Sequence, residues 1–151
     1  MPLMRISMAR ALSLAVPLLL IAMDARAQSN CPSPIDVGDS RAAPPSGWER
    51  LGTDEEDGES LRRPLRRVTF TDGHPRERAF LRPTSSRSKA NGDRTDVYSF
   101  SPVSKDGIWL VCQYAQTRQS LSRPITATMC EVTESDQPDK LDNRVRSVVC
   151  K

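Results

Sequence analysis

The chain has 151 residues, with 22 lysines and arginines against 19 aspartates and glutamates, a formal net charge of +3 and an aromatic content of 5%. That length fits one small domain, and so even a balance of charge excludes the strongly basic composition of a nucleic-acid-binding chain. Four cysteines and a single histidine leave little material for metal or nucleophilic chemistry.

The first segment reads as an export signal. Arg5 and Arg10 form a positive start, Ala11 to Met23 form an apolar stretch, and Ala25 to Ala27 place small residues at a cleavage position. The apolar run is about 13 residues, short of the roughly 20 that span a bilayer. Cleavage after Ala27 is expected, removing residues 1–27 and leaving 28–151 as one disulfide-stabilised, β-rich domain with no membrane anchor. It also removes Arg5, Arg10, Arg26 and Asp24, so the mature net charge is about +1. Cys31 is preceded by "QSN" and not by a leucine and small-residue motif, which favours a soluble periplasmic protein over a lipoprotein.

Residues 28–47 hold four prolines, with one short strand expected near Ile35 to Val37, and Trp48 follows as a buried anchor. "TDEEDGE" then concentrates Asp54, Glu55, Glu56, Asp57 and Glu59, the composition of a solvated loop. "LRRPLRRVTFTDG" is basic at first and then alternates, Val68 and Phe70 on one face, Thr69 and Thr71 on the other, closing at Asp72-Gly73. A short helix is expected near Glu77 to Leu81, and Thr84 to Asp96, without an apolar residue larger than alanine, is read as a mobile loop.

From Val97 the strand signals crowd together. "DVYSFS" alternates, and "GIWLVCQY" is apolar on both faces, with Ile108, Leu110, Cys112 and Tyr114 on one side and Trp109 and Val111 on the other. Such a strand belongs at the centre of a sheet covered on both sides. Gly107 to Pro124 as a whole is expected to be this central strand and a hairpin that turns into Leu121 and Pro124, and "ITATMCEV" and "VRSVVC" complete four strands. The fold class is therefore mostly β: a small antiparallel, sandwich-like domain with two disulfides.

Cys31, Cys112, Cys130 and Cys150 all lie in the exported part, and an even count in an oxidising compartment points to two disulfides. No pair has C-x-x-C spacing, which argues against zinc. Three connectivities are open. If "TMCEV" and "RSVVC" are the arms of one hairpin, Cys130 faces Cys150, which favours that pairing and leaves Cys31 with Cys112.

No catalytic residue, metal site or cofactor is expected. His74 is the sole histidine, there is no G-x-S-x-G elbow, the thiols are committed to disulfides, and no glycine loop cradles phosphate. His74 itself is read as an exposed loop residue. Charge segregation is the feature that looks functional: ten arginines and lysines between Ser60 and Thr95 follow directly on the acidic block. Opposite patches of this kind steer partners of complementary charge. The candidate contacts are Asp54, Glu55, Glu56, Asp57 and Glu59 in the loop, or Arg62, Arg63, Arg66 and Arg67 on the strand edge.

The order of Cys31-Pro32, Gly47-Trp48, Phe70-x-Asp72-Gly73-x-Pro75, Leu81-x-Pro83, "WLVCQY" at Trp109 to Tyr114, Leu121-x-Arg123-Pro124, Cys130 and Cys150 resembles a family of small exported proteins of Gram-negative bacteria named after a Salmonella Typhi locus. Tyr98 stands where those relatives tend to carry tryptophan. The resemblance implies a periplasmic location, no enzyme activity and, for some members, a genomic setting beside interbacterial-toxin secretion systems. From that setting follows the leading expectation, an immunity or inhibitor protein that binds and blocks a cell-wall-directed toxin or hydrolase. An envelope lysozyme inhibitor, a ligand-binding module and a structural envelope component are the alternatives. No Ser-Gly-x-x-Tyr loop supports the lysozyme reading.

Overall fold

The computed structural model describes residues 31–33, 35–37, 43–52, 61–100, 102, 105–137 and 144–151. Among these it places strands β1 (Ile35–Val37), β2 (Glu49–Leu51), β3 (Leu61–Arg63), β4 (Leu65–Asp72), β5 (Ser85–Ser88), β6 (Asp93–Ser99), β7 (Ile108–Tyr114), β8 (Ser120–Ile125), β9 (Met129–Ser135) and β10 (Val145–Cys150). The proposed export segment and the acidic block Asp54 to Glu59 lie outside the described residues.

All pairings are antiparallel. One four-stranded sheet runs β2-β8-β7-β4, a second runs β10-β9-β6-β5, and β1 pairs with β3 alone. The two larger sheets share a core. Val68 and Phe70 of β4, Leu110, Cys112 and Tyr114 of β7 and Leu121 of β8 face Tyr98, Cys130, Val132 and Val148 of the other sheet. The Phe70 ring sits 4.7 Å from Tyr98 and 5.1 Å from Phe100, tilted against both, within the range where aromatic pairs add to simple burial. This is the mostly-β, sandwich-like architecture expected, and the position of β7 inside its sheet explains why "IWLVCQY" is apolar on both faces.

Both disulfides join the favoured partners. Cys31 is bonded to Cys112 with Cα atoms 5.8 Å apart, and Cys130 to Cys150 with Cα atoms 4.1 Å apart. Cys130 and Cys150 are direct cross-strand neighbours in the β9–β10 register, so the hairpin alone brings the thiols together. The first bridge fastens the N-terminal segment onto β7. Tyr114 Oη donates to the Pro32 carbonyl at 2.5 Å and the Leu65 N–H donates to Ser33 Oγ at 3.3 Å beside it.

Three local expectations are corrected. Thr84 to Asp96 is no loose loop: Ser85–Ser88 pairs with β6 as a hairpin closed by Lys89 to Gly92, held by backbone bonds because its side chains bury nothing. "ITATMCEV" is split, since β8 ends at Ile125 and β9 begins at Met129. The expected hairpin is present, with Leu121 to Pro124 in its second arm, β8; β2 pairs only with Leu121 and its neighbours, so Pro124 stands where β8 has become an edge. The helix near Glu77 to Leu81 is instead a single 3-10 turn, Pro75–Glu77, ended by Arg78 in the left-handed region at φ 60°.

Candidate functional site

The outer face of the β2-β8-β7-β4 sheet is crossed by a loop that the sequence made look ordinary. After β4 the chain turns at Gly73, at φ 76°, where an added Cβ would lie 3.0 Å from the Glu77 carboxylate and 3.3 Å from Asp106 Cβ. Glycine is required there for both backbone angle and space. His74 then caps the 3-10 turn, its Nδ1 accepting from the Arg76 N–H at 3.2 Å, with Pro75 in the first turn position that proline tolerates.

The way back is equally pinned. The Arg78 N–H donates to the Pro75 carbonyl at 3.1 Å and the Phe80 N–H to the Arg78 carbonyl at 2.9 Å. Asp72 N–H then donates to Ala79 O at 3.0 Å and Leu81 N–H to Phe70 O at 2.8 Å, so Phe80 bridges to Thr71 on the edge of β4. In the register of the sheet Phe80, Thr71, Trp109 and Pro124 form one row on the face turned away from the core. Leu81, one residue on, packs against the core instead. Alternation along an extended segment thus sends Phe80 outward.

Two contacts tie the loop across the sheet. The His74 ring meets Trp109 edge-on with centroids 4.6 Å apart. Its Nε2 lies 2.9 Å from Glu49 Oε2, and Arg76 Nη2 donates to Glu49 Oε1 at 3.0 Å, so β2, on the opposite edge, holds the loop that leaves β4. His74 is accordingly half-buried and anchored, which corrects its reading as an exposed loop residue. Because Nδ1 accepts from a backbone N–H, the ring is the tautomer that donates from Nε2 to the carboxylate. Neither nitrogen is left to act as a base. The pair is a clamp between the loop and β2.

Elsewhere, the Arg123 guanidinium lies over the Trp48 ring, 4.8 Å from its centroid, and burial lowers its pKa. Trp48 is half-buried and packs against the core, less enclosed than the buried anchor expected. On the second sheet Arg94 and Ser86 converge on the buried Asp96 carboxylate. Among the described residues no group of three histidine, cysteine, aspartate or glutamate side chains is placed to hold a metal ion.

Of the candidate residues named from sequence, Asp54 to Glu59 lie outside the described residues, and the four arginines fall on the consecutive strands β3 and β4. Arg62 lies in β3 opposite Asp36 in the backbone register. Arg63 is turned to Gln116, whose Oε1 accepts from its Nη1 at 2.6 Å, while its Nε is buried without a partner. Arg66 and Arg67 are exposed on β4, and the positive charge of Arg67 favours the ionised form of Glu134 on β9. The order of the loop from His74 to Phe80 rests on Glu49 and Trp109, which are remote in sequence and so leave no local signal. Phe80 gave a signal only in being a lone aromatic among arginines.

The family model for the type VI secretion system Tli immunity protein matches residues 58–151, more than half of the chain. The matched stretch holds β3 to β10, the loop over Trp109 and the Cys130–Cys150 bridge. Comparison with curated proteins gave no match, and comparison with solved structures gave none either. A two-disulfide β-sandwich whose one histidine is spent on a structural clamp suits a protein that works by binding, and the chain belongs to the type VI secretion system Tli immunity protein family, whose members are immunity proteins that block a toxin.

Proposed function

We propose that the toxin blocked by this chain acts on the cell envelope, outside the cytoplasm, and that the chain meets it there as an exported, non-catalytic, stoichiometric inhibitor. The observation that carries this is the closure of all four cysteines into two disulfides, bonds that persist in oxidising compartments. An immunity protein has to be folded where its toxin is active. The apolar stretch Ala11 to Met23 followed by Ala25 to Ala27 supplies the matching route, cleavage after Ala27 into the periplasm. Degradation of the cell wall is the activity that fits the family resemblance read from the sequence.

The test is protection in two compartments. In a sensitive strain with the toxin directed to the periplasm, the full chain restores growth and a chain lacking residues 2–27 does not. Purified toxin digests peptidoglycan, and an equimolar amount of the oxidised chain stops it. Protection by the leaderless chain would sink the compartment, and a toxin that leaves peptidoglycan untouched would sink the cell-wall target.

A further inference from the structure

The Arg78–Phe80–Arg82 tip of the loop has features that neither packing nor the clamp explains. Phe80 is 51% exposed and is, with Val149, one of two large apolar side chains left in water among the described residues. Val149 stands opposite Glu131 on an edge strand. Phe80 instead stands in the chain between Arg78 and Arg82, both exposed, and neither has an ion-pair partner among the described residues. Of the other charges of the loop, Arg76 is held by Glu49, and Glu77, itself exposed, keeps its carboxylate beside Gly73 at the base. What remains at the tip is one aromatic ring and two guanidinium groups without an ion-pair partner among the described residues.

The tip is also rigid. Its backbone is bonded at Arg78, Phe80 and on both sides of the bridge to β4, and Arg78 is held at φ 60°, a conformation uncommon for a side chain of its size. An exposed aromatic flanked by arginines on a preordered segment is the composition of an interface hot spot, since little conformational freedom is lost on contact. Arginine is suited to carboxylates through its planar pair of donors.

We propose that this tip is the principal contact with the toxin: Phe80 enters an apolar recess, and Arg78 and Arg82 pair with aspartates or glutamates on its rim. The proposal rests on the immunity reading and names the surface through which it works. The occupant is thus an acidic patch of the toxin, by complementarity to Arg78 and Arg82, two exposed cations without an ion-pair partner among the described residues. This surface differs from both that the sequence suggests, the acidic loop Asp54 to Glu59 and the basic strand edge Arg62 to Arg67.

The experiment measures binding of the full oxidised chain and its variants to the toxin against which the wild type protects, by surface plasmon resonance at several salt concentrations. Phe80→Ala is expected to weaken binding by at least about 100-fold. Arg78→Glu with Arg82→Glu is expected to slow association at least about 10-fold and flatten its salt dependence. Arg87→Glu, which removes an exposed charge on β5, is expected to bind like the wild type. Thermal unfolding within a few degrees of the wild type shows that each variant is folded; Arg82→Glu lies outside the bonded tip and keeps the test open if Phe80→Ala does not fold. If the wild type binds and both tip variants bind within threefold of it, the tip is not the contact and the immunity reading stands. If the wild type neither binds nor protects, both fall. A dimer of this chain that dissociates on Phe80→Ala, with toxin affinity unchanged, would assign the ring to self-association and overturn the proposal.

Discussion

Asp96 shows how much one buried residue decides. It lies on β6 with Ser86 Oγ donating to Oδ1 at 2.5 Å, Arg94 Nε donating to Oδ1 at 2.9 Å and Arg94 Nη2 donating to Oδ2 at 2.6 Å. Burial pushes its pKa up, but the bonded donors and the arginine charge outweigh it and hold the carboxyl below its ordinary value. A depressed folded pKa means that ionised Asp96 stabilises the fold above the unfolded value near about 4, and that this contribution is lost as pH falls through the folded pKa. Glu134 works in the opposite sense. Burial is the largest influence on it and raises its pKa, so the fold takes up that proton more readily than the unfolded chain and gains stability as pH falls. Asp96→Asn should therefore cost about 1 kcal/mol at about pH 7, kept small because the half-exposed Arg94 returns to water. It should also lose less stability than the wild type between about pH 5 and pH 3, read as thermal midpoints across that range. An acid limb as steep as the wild type's would place the lability in other carboxylates. None of this was legible in "DRTDVYS", where Asp93, Arg94 and Asp96 look like loop charges; only the strand pairing that brings Ser86 opposite Asp96 turns one of them inward.

At the scale of elements, what could be read from the sequence followed burial. β4, β6, β7 and β10 announce themselves because alternate positions must face a core, and "IWLVCQY" announces a central strand because both faces are covered. β5 does not, because "SSRS" buries no side chain and exists as a strand only through its hydrogen bonds to β6. The boundary between β8 and β9 was equally hidden: Thr126, Ala127 and Thr128 carry no turn signal, whereas Pro124, which does, sits inside a strand. The β9–β10 hairpin was legible from its two cysteines, and its disulfide has a definite task. β10 is an edge strand whose sheet partner is β9, and the bridge closes a separation of 20 residues, worth about 3 kcal/mol in the chain-entropy model. Replacing Cys130 and Cys150 together by serine should lower the urea unfolding free energy by about that amount. Amide exchange should show where: protection falls first in β10, while β7, paired on both sides, keeps its own. Equal loss of protection in β7 would mean that the hairpin and the rest unfold as one unit.

The whole molecule depends on the other bridge. Cys31–Cys112 spans a separation of 81 residues, four times the other, and lands on a fully buried position of the central strand. Loop-closure entropy grows only logarithmically, so the longer loop raises the contribution to about 4.5 kcal/mol. Against the total of about 5 to 15 kcal/mol typical of a folded domain, that is a large share. The segment it fastens also carries the Tyr114 hydroxyl bond to Pro32 and the Leu65 bond to Ser33, which bring the N-terminal segment against β7 and β4, the strands beneath Trp109 and Phe80. Replacing Cys31 and Cys112 by serine should therefore cost about 4.5 kcal/mol, with Tyr114 left under a strap no longer covalently held. Urea unfolding with an unchanged m-value is the measurement, since a lower midpoint at constant slope reports lost stability and not a looser native state. A cost below about 1 kcal/mol would show that the two hydrogen bonds hold the segment unaided. The same arithmetic bears on protection. A chain held in a reducing cytoplasm lacks both bridges, about 7.5 kcal/mol in sum by the same model, which exceeds what many domains of this size possess. Such a chain should be largely unfolded at growth temperature and cleaved within minutes by added protease, while the oxidised chain resists it. The loop that presents Phe80 exists only on the folded sheet, so reduction should abolish toxin binding in parallel with protease resistance.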